Sequence, residues 1–259
     1  MNRISAYILT FNEEEKIRPA IESVSWADEI IVADSFSTDK TVEIARELGA
    51  RVIQLAFEGF GKLRNDAVAA CKHEWIFSLD ADERCSPEAR DEIQRTVRQP
   101  DAADAFYVPR QNYFMGRWIK HSACYPDYRQ PQLFRRGAVI YSDVDEVHEG
   151  FEIRGRTGYL KQAIWQIPFK DLAQVIAKSN RYSSLGAKKM ARNHRQASMM
   201  LALLHALGAF MRIYVLKLGF LDGWAGFVIA FGNFEGTFYR YAKLVEQQQG
   251  WDQPISKGP

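Results

Sequence analysis

Cysteine is scarce in this 259-residue chain: Cys71, Cys85 and Cys124 are three in number and form no Cys-x-x-Cys pair. An odd, scattered set supports neither a disulfide framework nor a zinc knuckle, and fits a reducing compartment. Net charge is nearly absent too. Lysine and arginine total 34 against 32 aspartates and glutamates, a formal +2, so the whole-chain balance argues neither for nor against nucleic acid. The apolar stretch before Asn12, Glu13, Glu14 and Glu15 is too short for a secretion signal, and none is expected. No glycine-rich dinucleotide fingerprint follows the first strand-like run, which removes the main support for a nicotinamide-dependent dehydrogenase. Internal repeats and low-complexity segments are also missing. What remains is an ordinary globular balance, 47% hydrophobic and 25% charged, in a chain long enough for one large domain or a domain plus an appendage.

The first hundred residues alternate two textures. Short apolar runs at Ile4–Leu9, Glu29–Ala33, Arg51–Leu55 and Trp75–Leu79 predict strands. Helix-patterned stretches lie between them, near Glu13–Val24, Asp39–Leu48 and Gly61–Ala70. That alternation predicts βαβ units and a mostly parallel sheet covered on both faces. Ser37, Thr38 and Asp39 offer capping oxygens ahead of Thr41–Leu48, and Gly49 supplies a stop. Beyond residue 100, Ala105–Pro109, Gln132–Phe134 and Val139–Tyr141 read as short strands of a mixed-sheet half. Asp171–Gln249 is helix-forming, so a boundary is placed near residue 170, with Gly250–Pro259 as a tail.

Ligands of open α/β sheets bind outside the carboxyl ends of the strands, and the polar clusters fall there. The first strand runs into Thr10-Phe11-Asn12-Glu13-Glu14, the second into Asp34-Ser35-Phe36-Ser37-Thr38-Asp39, the fourth into Asp80-Ala81-Asp82-Glu83. Carboxylates on alternate residues at a strand terminus both reach one ligand when the backbone turns. A hard cation such as Mg²⁺ or Mn²⁺ takes such oxygens together with substrate phosphates. Alone, Asp-x-Asp is a common tripeptide, equally an acidic turn capping the helix that Ser86-Pro87-Glu88 begins. Its place in a series of polar strand ends favours the metal site.

The ordered segments Ile8–Glu13, Asp34–Asp39, Gly59–Asn65, Leu79–Glu83, Tyr125–Asp127, Leu133–Arg136 and Val147–Glu149 resemble the motifs of family 2 glycosyltransferases. They are most similar to the branch that adds glucose to an inner-core heptose of bacterial lipopolysaccharide, and the likeness runs over residues 4 to 245. It implies a GT-A fold: a Rossmann-like central sheet over 1–100, an acceptor half over 101–170, and a helical membrane-associating region over 171–249. It further implies a UDP-sugar donor, a divalent metal, inverting hexosyl transfer and a lipid-linked glycan acceptor. By position, Thr10, Asn12 and Glu14 would line the nucleoside pocket, with Asp34 near uracil or ribose. Lys62 and Arg64 would meet base and diphosphate, Asp80 the ribose, and Asp82 the metal, with Asp80 and His148 as further metal candidates. Arg135 and Arg136 are candidate cations for the anionic donor. The base that takes the acceptor proton falls within Asp143–Glu149, with Glu149 ahead of Glu146 and Asp145. Asp127, Tyr125 and Trp118 are acceptor candidates, the aromatics as sugar platforms.

Basic residues Lys178, Arg181, Lys188, Lys189, Arg192 and Arg195 precede an apolar stretch, Met199–Phe234, that contains His205, Arg212, Lys217 and Asp222. Those charges interrupt the ~20 apolar residues that a crossing needs. The expectation is a segment lying on an anionic bilayer at the cytoplasmic face of the inner membrane, not crossing it. Cations beside an apolar stretch, and not among exposed stacking aromatics, argue against a nucleic-acid partner. The competing expectations are transfer to polyprenyl phosphate or another envelope glycan, and an inactive sugar-nucleotide-binding protein.

Overall fold

Every residue of Ile4–Thr10 (β1) is buried, as expected of a strand at the centre of a sheet. In the computed structural model, which describes residues 2–142 and 150–250, the chain divides into two units. Met1–Asn112 with Pro126–Pro168 form one, and Tyr113–Tyr125 with Phe169–Pro259 form the other.

The first unit runs β1, α1 (Ile17–Ser23), β2 (Glu29–Asp34), α2 (Thr41–Glu47), β3 (Arg51–Gln54), α3 (Phe60–Ala70), β4 (Trp75–Asp80), β5 (Glu83–Arg84) and α4 (Pro87–Thr96). It continues through β6 (Ala105–Tyr107) and the start of β7 (Arg110–Phe114), whose last two residues pair with β8 (Arg117–Trp118) in the second unit. The first unit then adds β9 (Pro131–Arg135), β10 (Val139–Tyr141), β11 (Phe151–Ile153), β12 (Thr157–Tyr159) and β13 (Ile164–Gln166). The seven-stranded sheet has the order β12-β6-β9-β4-β1-β2-β3. β1 pairs in parallel with β2 and β4, β2 with β3, and β6 with β12, while β9 is antiparallel to both β4 and β6. β4, β1, β2, β3, β6 and β12 therefore point their carboxyl ends to one edge.

Strand alternation divides the core between the two faces. Ile4, Ala6 and Ile8 join Ile17, Ile21, Phe77 and Ile93 in one cluster. Tyr7 and Leu9 join Leu63, Ala67, Ile76 and Phe134 in the other. Each fully buried side chain of this kind stabilises the fold by about 1.5–3 kcal/mol. The local signals act as expected at α4, where the Ser86 hydroxyl accepts from Ala89 N at 3.1 Å and Pro87 follows. Gly49 closes α2 at φ +76. The first helix is shorter than its pattern predicts: Glu13–Lys16 form a turn, and regular helix begins at Ile17. The cysteines are free thiols, with Cys71 and Cys85 each pushed up to about 12, chiefly by burial.

The second unit holds α5 (Leu172–Arg192), α6 (Met199–Met211) and α7 (Gly223–Gln249). A π turn at Arg212–Leu216 and a 3-10 turn at Gly219–Asp222 connect the last two. Asp222 ties Tyr113–Tyr125 to these helices: its carboxylate accepts from Lys120 N and His121 N at 3.1 Å and from Ser122 Oγ at 2.8 Å. Gly226 makes the turn possible, because a Cβ there would lie 1.9 Å from the Gly219 carbonyl oxygen. Gly226→Ala should therefore destabilise the helical unit by about 3 kcal/mol, visible as an earlier loss of helical circular dichroism on heating.

Met199–Leu216 has a mean hydropathy of 1.8 and is only 11% buried, and by length and composition alone it is long enough to cross a membrane. Of the interrupting residues, His205 and Arg212 fall inside this stretch, and Lys217 and Asp222 lie beyond it.

Candidate active site

Three strand ends converge at the carboxyl edge. The register sets Thr10 beside Asp34 and Leu9 beside Asp80, so the polar residues that close β2, β1 and β4 stand next to one another. The two loops following β1 and β2 are stitched together. Asn12, at φ +53, accepts from Thr38 N at 2.8 Å through Oδ1, and its own N–H donates to Ser37 Oγ at 2.8 Å. Glu14 N donates to Asp39 Oδ2, and Lys40 N donates back to Glu14 Oε2, both at 3.1 Å. Asn12 and Glu14 are exposed, while Asp34 and Thr10 are buried.

Asp34 Oδ2 receives Ser37 N at 2.8 Å and Gln54 Nε2 at 2.9 Å, and Ser37 Oγ donates to Oδ1. The buried Thr10 Oγ1 and Ser35 Oγ have no hydrogen-bond partner among the described residues. Unspent hydroxyls beside a fixed carboxylate are what a polar ligand would satisfy.

Asp80 and Asp82 form the acidic centre. Arg64, 3% exposed, reaches Asp80 Oδ1 through Nη2 at 3.0 Å and Ser78 Oγ through Nη1 at 3.3 Å, with its guanidinium 5.7 Å from the Tyr141 ring centre. It therefore stands behind Asp80 as a buried counter-charge. Gln166 Nε2 donates to Asp82 Oδ2 at 3.3 Å. The Asp82 carboxyl is pushed up by burial and then by the charge of Asp80, with Lys16 opposing. A carboxyl raised by burial and by a neighbouring carboxylate, as Asp82 is, is relieved by a bound cation. Among the described residues no group of three or more His, Cys, Asp or Glu side chains converges on a metal position. Asp80 and Asp82 thus fit a Mg²⁺-like ion that takes its remaining ligands from substrate phosphates and water.

Glu83 holds this turn from behind. Its Oε1 takes Arg110 Nε at 2.5 Å, and its Oε2 takes Gln132 Nε2 at 2.9 Å and Asp80 N at 3.0 Å. Glu83 and Arg110 are each 1% exposed. Burial pushes the Glu83 carboxyl up to about 7, Arg110 opposes, and Asp80 and Asp82 add to the rise. Three donors on two oxygens are the complement of a carboxylate, the form that Glu83 takes above about 7. The sequence gives little sign of this network, because Arg110 and Gln132 lie far from Glu83 along the chain and belong to no local pattern.

The remaining candidates are dispersed. Lys62, half-exposed near the start of α3, bonds Asp66 at 2.7 Å and lies 3.8 Å from Glu58. Arg135 pairs across from Trp75, at the amino end of β4, and bonds Glu74. Arg136 donates to the His73 carbonyl at 3.0 Å and to the Cys71 carbonyl. Neither arginine is brought to the carboxyl edge. Asp127 accepts from Asn112 at 3.2 Å and pairs with Arg129 at 2.7 Å. Trp118 and Tyr125 belong to the second unit, in edge-on contact at 5.3 Å, with Lys120 Nζ 4.7 Å from the Trp118 ring centre. Asp145, Glu146, His148 and Glu149 lie outside the described residues.

A mostly parallel sheet with antiparallel β9 let into it, helices on both faces and paired aspartates at the carboxyl edge define a GT-A-type fold. The model of the family "Glycosyl transferase family 2" matches residues 5–167, and the chain belongs to that family: it is a glycosyltransferase. It is 29% identical to an uncharacterized glycosyltransferase of Rickettsia felis, over 95% of this chain and 90% of that one. It is 26% identical to the lipopolysaccharide core biosynthesis glycosyltransferase LpsC of Rhizobium meliloti, over 94% of this chain and 92% of that one. Among solved structures, glucosyl-3-phosphoglycerate synthase from Mycobacterium tuberculosis, in complex with Mn²⁺, UDP and glucosyl-3-phosphoglycerate, aligns at 25% identity. That alignment covers 42% of this chain and 44% of the other, with a TM-score of 0.38.

Proposed function

We propose that this enzyme moves a hexose, most simply glucose from UDP-glucose, onto an inner-core heptose of lipopolysaccharide, with inversion at the anomeric carbon. The observation that carries the donor half is the carboxyl edge itself, where Asp80 ends β4 with Asp82 just after it, and Asp34 ends β2 on the other side of β1, beside Thr10. Similarity to LpsC over nearly the full length of both chains supports the acceptor half.

Asp80 and Asp82 would hold the divalent cation, which when bound neutralises charge growing on the departing diphosphate. Arg64 holds Asp80 in place, and Gln166 holds Asp82. Glu83 anchors the backbone N–H of Asp80, so the carboxylates are held before substrate arrives. The acceptor proton passes to a carboxylate of the 143–149 segment, Glu149 by its place in the Val-His-Glu motif, as the hydroxyl oxygen attacks opposite the leaving nucleotide.

The helical unit supplies the route to a lipid-linked acceptor. Met200, Leu204, Leu207 and Met211 are exposed on α6, and Trp224 on α7, and the basic residues Lys188, Lys189 and Arg192 close α5. Exposed apolar side chains flanked by cations suit peripheral attachment to the anionic cytoplasmic face of the inner membrane.

The test is a binding screen of UDP-, GDP- and CMP-sugars against purified protein with Mg²⁺ or Mn²⁺, followed by nucleotide release on adding a heptose-containing core oligosaccharide. Binding of UDP-glucose in preference to the others, with acceptor-stimulated release of UDP, is the expected result. Failure to bind any nucleotide sugar would overturn the reading.

A further inference from the structure

Three tyrosines in the first unit stand together outside the donor pocket. Tyr107 ends β6 and Tyr159 ends β12, as register partners on parallel strands. Their rings stack at 5.0 Å and 15°, and Tyr128 meets Tyr159 edge-on at 5.1 Å and 86°. The Tyr128 hydroxyl donates to the Leu160 carbonyl at 3.2 Å, and Leu160 N donates to the Tyr107 carbonyl at 2.9 Å. The cluster is therefore fixed by the backbone beneath it. Gly158 contributes as well: a Cβ there would lie 2.6 Å from the Phe106 ring, so only glycine lets β12 lie flat against β6 at this point.

Aromatic cross-strand pairs commonly hold a short edge strand in place, and packing alone would explain a buried pair. Here Tyr159 is 63% exposed and Tyr128 37% exposed. Large aromatic surface left open, with polar groups at its rim, marks a contact surface. Asp127 and Arg129, which flank Tyr128 in the chain, pair with each other, and Asp127 accepts from Asn112.

Position selects the occupant. β6 and β12 end at the same edge of the sheet as β4, whose last residue is Asp80. β12 lies three strands from β4, roughly 14 Å at the usual strand spacing. A ligand reaching from the transfer centre to these rings must be extended, as an oligosaccharide is and a single sugar is not. The apolar face of a pyranose matches an open phenol ring, and its hydroxyls match Asp127, Arg129 and Asn112.

Resting on the acceptor reading given above, we propose that Tyr107, Tyr128 and Tyr159 form a stacking subsite for a sugar of the acceptor glycan remote from the hydroxyl that is glycosylated. The test titrates a deacylated, heptose-containing inner-core oligosaccharide into the full-length protein by calorimetry. Wild type is compared with Tyr159→Ala, Tyr159→Thr and Tyr159→Trp, and the melting temperature and UDP affinity of each variant report its folding. Tyr159→Ala and Tyr159→Thr should each weaken oligosaccharide binding roughly tenfold, and Tyr159→Trp should retain it. Threonine keeps the β propensity of the edge strand, so a loss shared by both variants is a loss of the ring. Unchanged affinity in folded Tyr159→Ala overturns the subsite and leaves the acceptor reading standing. Absence of oligosaccharide binding by the wild type, with UDP still bound, overturns the acceptor reading and the subsite together.

Discussion

Replacing Arg110 by methionine should lower the free energy of unfolding by about 3–5 kcal/mol, read as a fall in the urea midpoint, because it strands a buried carboxylate. Methionine approximates the volume of the arginine stem, so the effect is not mainly that of a cavity. Glu83 would keep Gln132 Nε2 and Asp80 N but lose the full charge that Arg110 brings to it. The pH dependence follows from the direction of its shift. A carboxyl with a raised folded-state pKa, here about 7 even with Arg110 present, keeps its proton in the folded chain after the unfolded chain has released it. The stability contribution therefore falls as pH rises from the ordinary carboxylate range through about 7. Without Arg110 that window extends upward, so the deficit of the variant should be small at pH 5 and largest at pH 8. Adding Glu83→Gln to Arg110→Met removes the stranded charge and should recover most of the loss. A deficit independent of pH, or one that Glu83→Gln does not repair, would show that Arg110 acts through packing.

The parallel half of the fold is legible because its signals are local. Ile4–Leu9 and Trp75–Leu79 are short apolar runs flanked by helix patterns, and each forms a strand within one residue of its predicted end. The polar strand ends are legible for the same reason: the register that pairs Thr10 with Asp34 and Leu9 with Asp80 follows once the strands are known to be parallel neighbours. The support of the site is not local. Glu83 meets Arg110 and Gln132 only because β7 and β9 return to the end of β4, and no spacing in the chain announces that meeting. Side-chain direction is likewise hidden from the sequence. Arg64 and Arg135 are both arginines near motif residues. The fold buries the first against Asp80 and carries the second to the amino end of the same strand. The tyrosine platform joins three segments between residues 107 and 159 through strand pairing and one glycine.

Asp82→Asn should reduce sugar transfer by about 10²–10³-fold while leaving the protein as stable as the wild type, or more so. The two halves of this prediction have one cause. Burial and the charge of Asp80 push the Asp82 carboxyl up. The charged side chain therefore costs the folded state stability above the ordinary carboxylate range, where the unfolded chain has already lost its proton. Asparagine has nearly the same shape, removes that charge and still accepts from Gln166 Nε2 through its carbonyl oxygen. The melting temperature at pH 7 should hold or rise, and the difference from wild type should disappear on acidification as the wild-type carboxyl takes up its proton. Transfer responds oppositely, since the lost charge is half of the acidic pair that would hold the cation against the diphosphate. Two measurements on one variant thus separate a functional charge from a structural one. A fall in melting temperature that tracks the loss of transfer would mean that Asp82 holds the turn, whereas transfer lost from an equally stable protein would place its charge in the chemistry.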